Sequence, residues 1–146
     1  MGLDMYLMAK KYISDYREED NEIREKMQAL LPEISFPVRY IECEAIYWRK
    51  ANAIHGWFVN NCQDGVDDCR EVYVDREQLQ ELLDIIETIQ DDHSRAEELL
   101  PPVGGFFFGS TDLDEGYFED LEYTQERLKK ALEMSSDWDF YYHSSW

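Results

Sequence analysis

Leu3, Met5 and Leu7 alternate with Asp4, Tyr6 and Met8, the period-two signature of a strand that starts almost at the first residue. Residues 17–31 are charge-rich, with Ile23, Met27, Leu30 and Leu31 at helical spacing and Pro32 behind them. They predict a peripheral helix, polar over most of its circumference. Val38 to Ala45 predicts a strand with mixed faces, Val38, Tyr40 and Glu42 on one side and Arg39, Ile41 and Cys43 on the other. From Tyr47 to Asn61 the apolar positions fit a period of 3.6: Tyr47, Ala51, Ile54 and Phe58 fall on one narrow stripe, which predicts a helix. Gly56 costs that helix about 1 kcal/mol relative to Ala.

Cys62 to Asp68 is a polar, acidic loop turning at Gly65, and Arg70 to Val74 a short strand. Asp75 is a good helix N-cap, with Gln78 placed to complete a capping box. Leu79, Leu82, Leu83, Ile86 and Ile89 make the buried face of the helix that follows. It fades at residues 91–94, and Pro101-Pro102 forces an extended connection. Residues 104–109 (GGFFFG) form a glycine-bracketed aromatic strand or loop. Asp112 or Asp114 caps a last long helix to about Ser135, with Tyr117, Leu121, Thr124, Leu128, Ala131 and Leu132 on one face. Trp138 to Trp146 predicts a strand returning to the sheet. Strands and helices alternate irregularly, without repeats. The expectation is therefore one α+β domain over residues 1–146, with a small mixed or antiparallel sheet of four to five short strands and three to four helices.

Composition sharpens this. Of 146 residues 44% are hydrophobic and 14% aromatic, enough for a core despite a formal net charge of −19. The charge is unevenly placed: residues 1–50 hold 8 Lys/Arg against 10 Asp/Glu, residues 51–146 hold 6 against 23. Such a surface repels phosphate backbones, so direct nucleic-acid binding and a polybasic membrane anchor are excluded. It attracts basic protein faces, although simple solubility is the commoner reason for surface acid. No apolar run is long enough to cross a bilayer, and the opening has no basic region ahead of an apolar stretch, so no secretory leader is expected. Cys43, Cys62 and Cys69 form no CxxC pair, which predicts reduced thiols and neither a disulfide framework nor a zinc site.

The richest chemistry lies in residues 47–55 (YWRKANAIH). On a helix, Trp48, Asn52, His55 and Val59 would form a second stripe at the margin of the core. There Trp48 would stack on a flat ligand, Asn52 would hydrogen-bond its edge, His55 would donate or shuttle a proton, and Arg49 would hold a phosphate or carboxylate. A marginal His and Asn equally serve as structural groups satisfied by neighbouring carbonyls. Gly104 to Thr111 offers a second site: glycines at Gly104 and Gly105 let backbone approach a ligand, and Ser110 and Thr111 add hydroxyls ahead of a helix. No Lys follows Gly109, so this is not a Walker loop, and a buried aromatic segment with glycine turns explains it as well. In residues 112–116 (DLDEG) the glycine comes one position early for an EF-hand, and Asp64 to Asp68 lacks the required alternation. No metal site, cofactor or catalytic residue is assigned.

The blocks MGLDMYL, YWRKANAIHGWFVNNCQDGVDDC, ELLPPVGGFFFGSTDLDEGYFEDLEYT and the ending FYYHSSW resemble a family of small proteins encoded by tailed bacteriophages and prophages. The resemblance spans nearly the whole chain and is weakest around residues 13–37 and 90–96. It implies a viral protein in the host cytoplasm and brings no activity or cofactor with it. The expected function is that of an accessory protein acting by binding, directed at a host defence, through one of two modes. Trp48, Arg49, Asn52 and His55, closed over by Gly105 and Ser110, capture a nucleotide-like small molecule; or the acidic surface mimics nucleic acid and occupies a basic host protein. The competing class is an enzyme on a nucleotide or phosphorylated substrate, with His55 as general acid–base and Arg49 as anion anchor. Any of these is compatible with an oligomer.

Overall fold

The computed structural model describes residues 2–146. Its elements run β1 (Asp4–Tyr12), α1 (Glu18–Leu30), β2 (Tyr40–Arg49), α2 (Asn52–Cys62), β3 (Val72–Val74), α3 (Arg76–Asp91), a 3-10 turn (His93–Arg95), α4 (Ala96–Leu99), α5 (Glu115–Glu133) and β4 (Trp138–Ser145). The strands form one antiparallel sheet in the order β2-β1-β4-β3. The fold is α+β, as the sequence predicts. The sheet is wholly antiparallel, and five helices replace the expected three to four because the chain adds the four-residue α4 before the prolines. Three of the strands are eight to ten residues long rather than short.

β1 lies in the middle, and its alternation sets the two faces of the sheet. Met5, Leu7 and Ala9 are buried and meet Ile46 and Trp48 of β2 and Phe140 and Tyr142 of β4 in one core. Ile54 and Phe58 of α2, the leucine–isoleucine face of α3, and Leu121 and Leu128 of α5 close that core from one side. The Phe58 ring stacks on Tyr142 at 4.0 Å. On the opposite face stand Tyr6, Tyr47 and His143, with ring contacts of 5.4 Å and 4.8 Å. The capping box of α3 forms in full, with Gln78 N–H donating to Asp75 at 2.8 Å and Asp75 N–H donating to Gln78 at 3.0 Å. Asp114, rather than Asp112, caps α5.

α1 is peripheral, as expected. Its one buried residue is Asp20, which accepts the Ser14 N–H at 3.0 Å and faces the Lys11 ammonium at 3.5 Å. Arg24 donates to the carbonyls of Ile13, Ser14 and Val38, so polar contacts rather than apolar burial hold this helix.

The helix expected over residues 47–61 is corrected. Tyr47, Trp48 and Arg49 belong to β2, paired with Tyr6, Met5 and Asp4, and the helix starts only at Asn52. Ile46 and Trp48 fit a period of two as well as Tyr47 and Ala51 fit a period of 3.6, and pairing with the buried β1 decides for the strand. Between Leu7 and Met8 the register skips Ala45. This bulge carries Glu42 and Glu44 onto the same side as Tyr47, which explains the mixed faces of residues 38–45. β2 ends where Lys50 takes a left-handed backbone (φ 58°). The segment 104–109 is a loop, with Phe108 buried and Phe106 95% exposed.

α2 is buried from Asn52 through Val59, all round its axis. Gly56 is required by that environment, since a Cβ there would lie 2.4 Å from Val103 Cγ2. Helix propensity alone predicts that Gly56→Ala stabilises by about 1 kcal/mol. The contact predicts instead a loss of about 1–3 kcal/mol, recovered in Gly56→Ala/Val103→Ala. Urea denaturation of the single and double variants checks this, and a stabilised single variant contradicts the packing.

Candidate functional site

The side chains of Trp48, Asn52 and His55 do not converge on one hollow, as a shared helical stripe would require. Trp48 is buried on β2, and its Nε1–H donates to Thr124 Oγ1 at 2.8 Å, while the Thr124 hydroxyl donates to the Asp120 carbonyl at 2.6 Å. The indole therefore ties the sheet to α5 and is not free to stack on a ligand.

Asn52, 5% exposed, uses its whole amide on the loop across from it. Its Nδ2 donates to the carbonyls of Phe108 at 2.9 Å and Ser110 at 2.8 Å, and its Oδ1 accepts the Val103 N–H at 3.0 Å. The loop is fixed at a second point, where Leu3 N–H donates to the Phe107 carbonyl and the Leu3 carbonyl accepts Lys50 N–H.

His55 is fully buried, not marginal. Its Nδ1 lies 2.6 Å from the Tyr142 hydroxyl and its Nε2 2.9 Å from Asp67 Oδ2, and Asp67 Oδ1 accepts the Trp146 Nε1–H at 3.1 Å. Burial pushes the Tyr142 phenol well above its ordinary range, so the hydroxyl keeps its proton in the contact with Nδ1. The Asp67 carboxylate can only accept, so Nε2–H donates to it. With both ring nitrogens engaged and no exposed surface, His55 has nothing to offer a substrate directly. It serves to fasten loop 63–70 and the C-terminal Trp146 to the core.

A cavity of about 300 Å³ does open beside these groups, between the β2–α2 junction and α5. Three of the residues expected to bind a ligand line it: Arg49, Asn52 and Ser110. Trp48, His55 and Gly105 do not. Gly105 lies against the Phe108 ring, 2.7 Å from where its Cβ would stand, so it serves the close packing of the loop. Gly104 and Gly105 form no anion cradle on the cavity.

One wall of the cavity is electropositive. Arg49 and Lys50 stand at its rim, Arg49 bridged to Asp4 at 2.9 Å and Lys50 without a carboxylate partner among the described residues. The first turn of α2 opens here, from Ala51 to Ile54, and its N-cap, Ala51, has no side-chain oxygen to satisfy the amides. The N–H groups of Ala53 and Ile54 find no acceptor among the described residues. An amino end of this kind carries about half a positive charge.

The facing wall, built by α5 and the residues before it, is acidic: Asp112, Asp114, Glu119 and Asp120, over the apolar side chains of Tyr117 and Leu121. The Tyr117 hydroxyl donates to the Leu100 carbonyl at 2.7 Å, which seats α5 on the segment ahead of the prolines. Burial, reinforced by the charges of Glu119 and Asp114, pushes the Asp120 carboxyl from its ordinary 3.8 to about 6. Its carboxylate meets no donor among the described residues. Lys50 and Asp120 are absent from the sequence-based set. Lys50 was hidden because a helix over 47–61 turns it away from Asn52. Asp120 carried a signal that helical periodicity offers, being an acid at the flank of the Tyr117–Leu121–Thr124 stripe.

Among the described residues no group of three His, Cys, Asp or Glu side chains is arranged to hold a metal ion, and no helix is long and apolar enough to cross a membrane. Comparison with known protein families, with curated proteins and with solved structures finds no match.

The folded chain holds the Asp120 proton over a range in which the unfolded chain has released it. The stability Asp120 contributes is therefore complete below about pH 4, falls as the pH rises towards 6, and above that the ionised group is a standing cost. Asp120→Asn is expected to gain on the order of 2 kcal/mol over the parent at pH 8 and nothing at pH 4, read from urea melts at the two pH values. An equal gain at both would contradict a desolvated Asp120.

Proposed function

We propose that the protein works by binding, and that the cleft between the β2–α2 junction and α5 takes a nucleotide-like small molecule. The observation that carries this reading is the cavity itself, about 300 Å³ with Lys50, Arg49 and the uncapped amino end of α2 on one side. That wall suits a phosphate or carboxylate, which would accept from the free amides and from the two cations. The apolar side chains of Ile54, Tyr117 and Leu121 supply a floor for the body of a small ligand. Binding rather than catalysis is favoured because the one buried imidazole, His55, has both nitrogens occupied away from the cleft. On the resemblance of its sequence blocks to phage proteins, the role is that of an accessory protein which acts in the host cytoplasm against a host defence by withholding such a molecule.

Lys50→Gly tests this directly. Glycine suits the left-handed backbone at residue 50 and removes the ammonium group. The variant is expected to be as stable as the parent or up to about 1 kcal/mol more stable, while affinity for the nucleotides retained in native mass spectrometry falls about tenfold or more. A stable Lys50→Gly protein that holds nucleotide as tightly as the parent removes the phosphate role of this wall. A parent that retains no member of a nucleoside mono-, di- and triphosphate panel removes the reading altogether.

A further inference from the structure

We infer that this cleft, if it is the ligand site proposed above, selects a nucleotide with one phosphate and an amino-bearing base, of the guanosine monophosphate class, against the corresponding triphosphate. The inference rests on the two walls being oppositely charged and unequal. On the cationic side Arg49 already shares its charge with Asp4 at 2.9 Å, which leaves the Lys50 ammonium and the α2 amides for an incoming anion. With the amino end worth about half a charge, this wall matches a single phosphate group. Four carboxylates face it across the same cavity. Each further phosphoryl group adds negative charge opposite those four carboxylates, and the one cation left on the cavity to meet it, Arg49, is already bridged to Asp4.

The acidic wall asks for something else. Asp114 uses one oxygen on the Tyr117 N–H at 3.2 Å, as the cap of α5. Asp120 is partly buried, lies on the cavity and has no donor of its own among the described residues. A carboxylate so placed is best met by two parallel N–H donors. The guanine edge presents two such donors, the ring N1–H and the 2-amino group. Hypoxanthine presents the N1–H alone, so inosine monophosphate has the same phosphate, sugar and overall shape with one donor removed. A site built to hydrogen-bond an amino group loses affinity for the analogue that lacks it, because its own polar atom is left unpaired.

Isothermal titration of the full chain at pH 7.5 in magnesium-free buffer, with guanosine monophosphate, inosine monophosphate and guanosine triphosphate as probes, tests this. The expected result is that guanosine monophosphate binds at least about tenfold tighter than either of the others. In Asp120→Asn the preference for guanosine over inosine monophosphate should collapse to less than about threefold, a ratio that a purely structural role for Asp120 would not move. Triphosphate binding as tight as monophosphate binding overturns the inference and leaves nucleotide binding standing. An unchanged guanosine-to-inosine ratio in Asp120→Asn overturns the assignment of Asp120 as the base-reading group. No binding by any of the three overturns the reading of the cleft, and this inference with it.

Discussion

One buried carboxamide holds the loop beside the cleft in place. Asn52 sits at the first position of α2, and all three of its hydrogen bonds go to loop residues 51 to 58 positions further along the chain. Without it, two loop carbonyls and the Val103 amide would be left short of partners at the edge of the core, each at about 1–3 kcal/mol. With it, the loop is drawn over α2 closely enough to demand glycine at position 56. The same clamp carries Ser110 and the acids behind it to the cavity mouth. The closed loop is thus the consequence of a single residue's hydrogen bonds. The amino end of α2 stays uncapped for a separate reason, the lack of a side-chain oxygen on Ala51.

A second polar network does comparable work one turn further along α2. The Tyr142–His55–Asp67–Trp146 series runs from the sheet, through the helix, to loop 63–70 and the last residue. Burying a polar series is tolerable only when every member is satisfied, and here each linking atom has its partner at 2.6–3.1 Å. A helix apolar nearly all round is thereby fixed in rotation and register by two polar residues, one at its first turn and one a turn later. The vocabulary that looks like a ligand site in the sequence is largely the vocabulary of that fixation. What remains for a ligand lies one residue outside it, at Lys50, and across the gap, on α5.

The elements with one strong period were legible. The leucine–isoleucine face of α3, the Asp75–Gln78 box, the polar α1 and the alternation of β1 all stand where pattern puts them, with a full capping box at the start of α3 and Pro32 just beyond α1. The β2–α2 junction was not. An aromatic strand that runs into a buried helix keeps apolar residues at both spacings, and only the neighbour, β1, separates them. The bulge at Ala45 is invisible for the same reason, since it is defined by a partner strand and not by its own residues. Of the expected site, Arg49, Asn52 and Ser110 reach the cavity because chain position alone brings them to the junction and the loop. Trp48 and His55 leave it because a strand residue and a fully enclosed helix residue point elsewhere. Whether a polar side chain on a helix faces solvent or another loop depends on what covers the helix, and local sequence does not encode that.

The most direct test of this account is native-state hydrogen exchange at the Val103 amide, whose acceptor is the Asn52 side chain. If the clamp organises the cleft, that proton exchanges only through global unfolding, with the same denaturant dependence as core amides of β1, although it lies in a segment without regular secondary structure. Exchange at the rate of an open loop, independent of global stability, would contradict it, and the cavity could no longer be regarded as a standing feature of the fold.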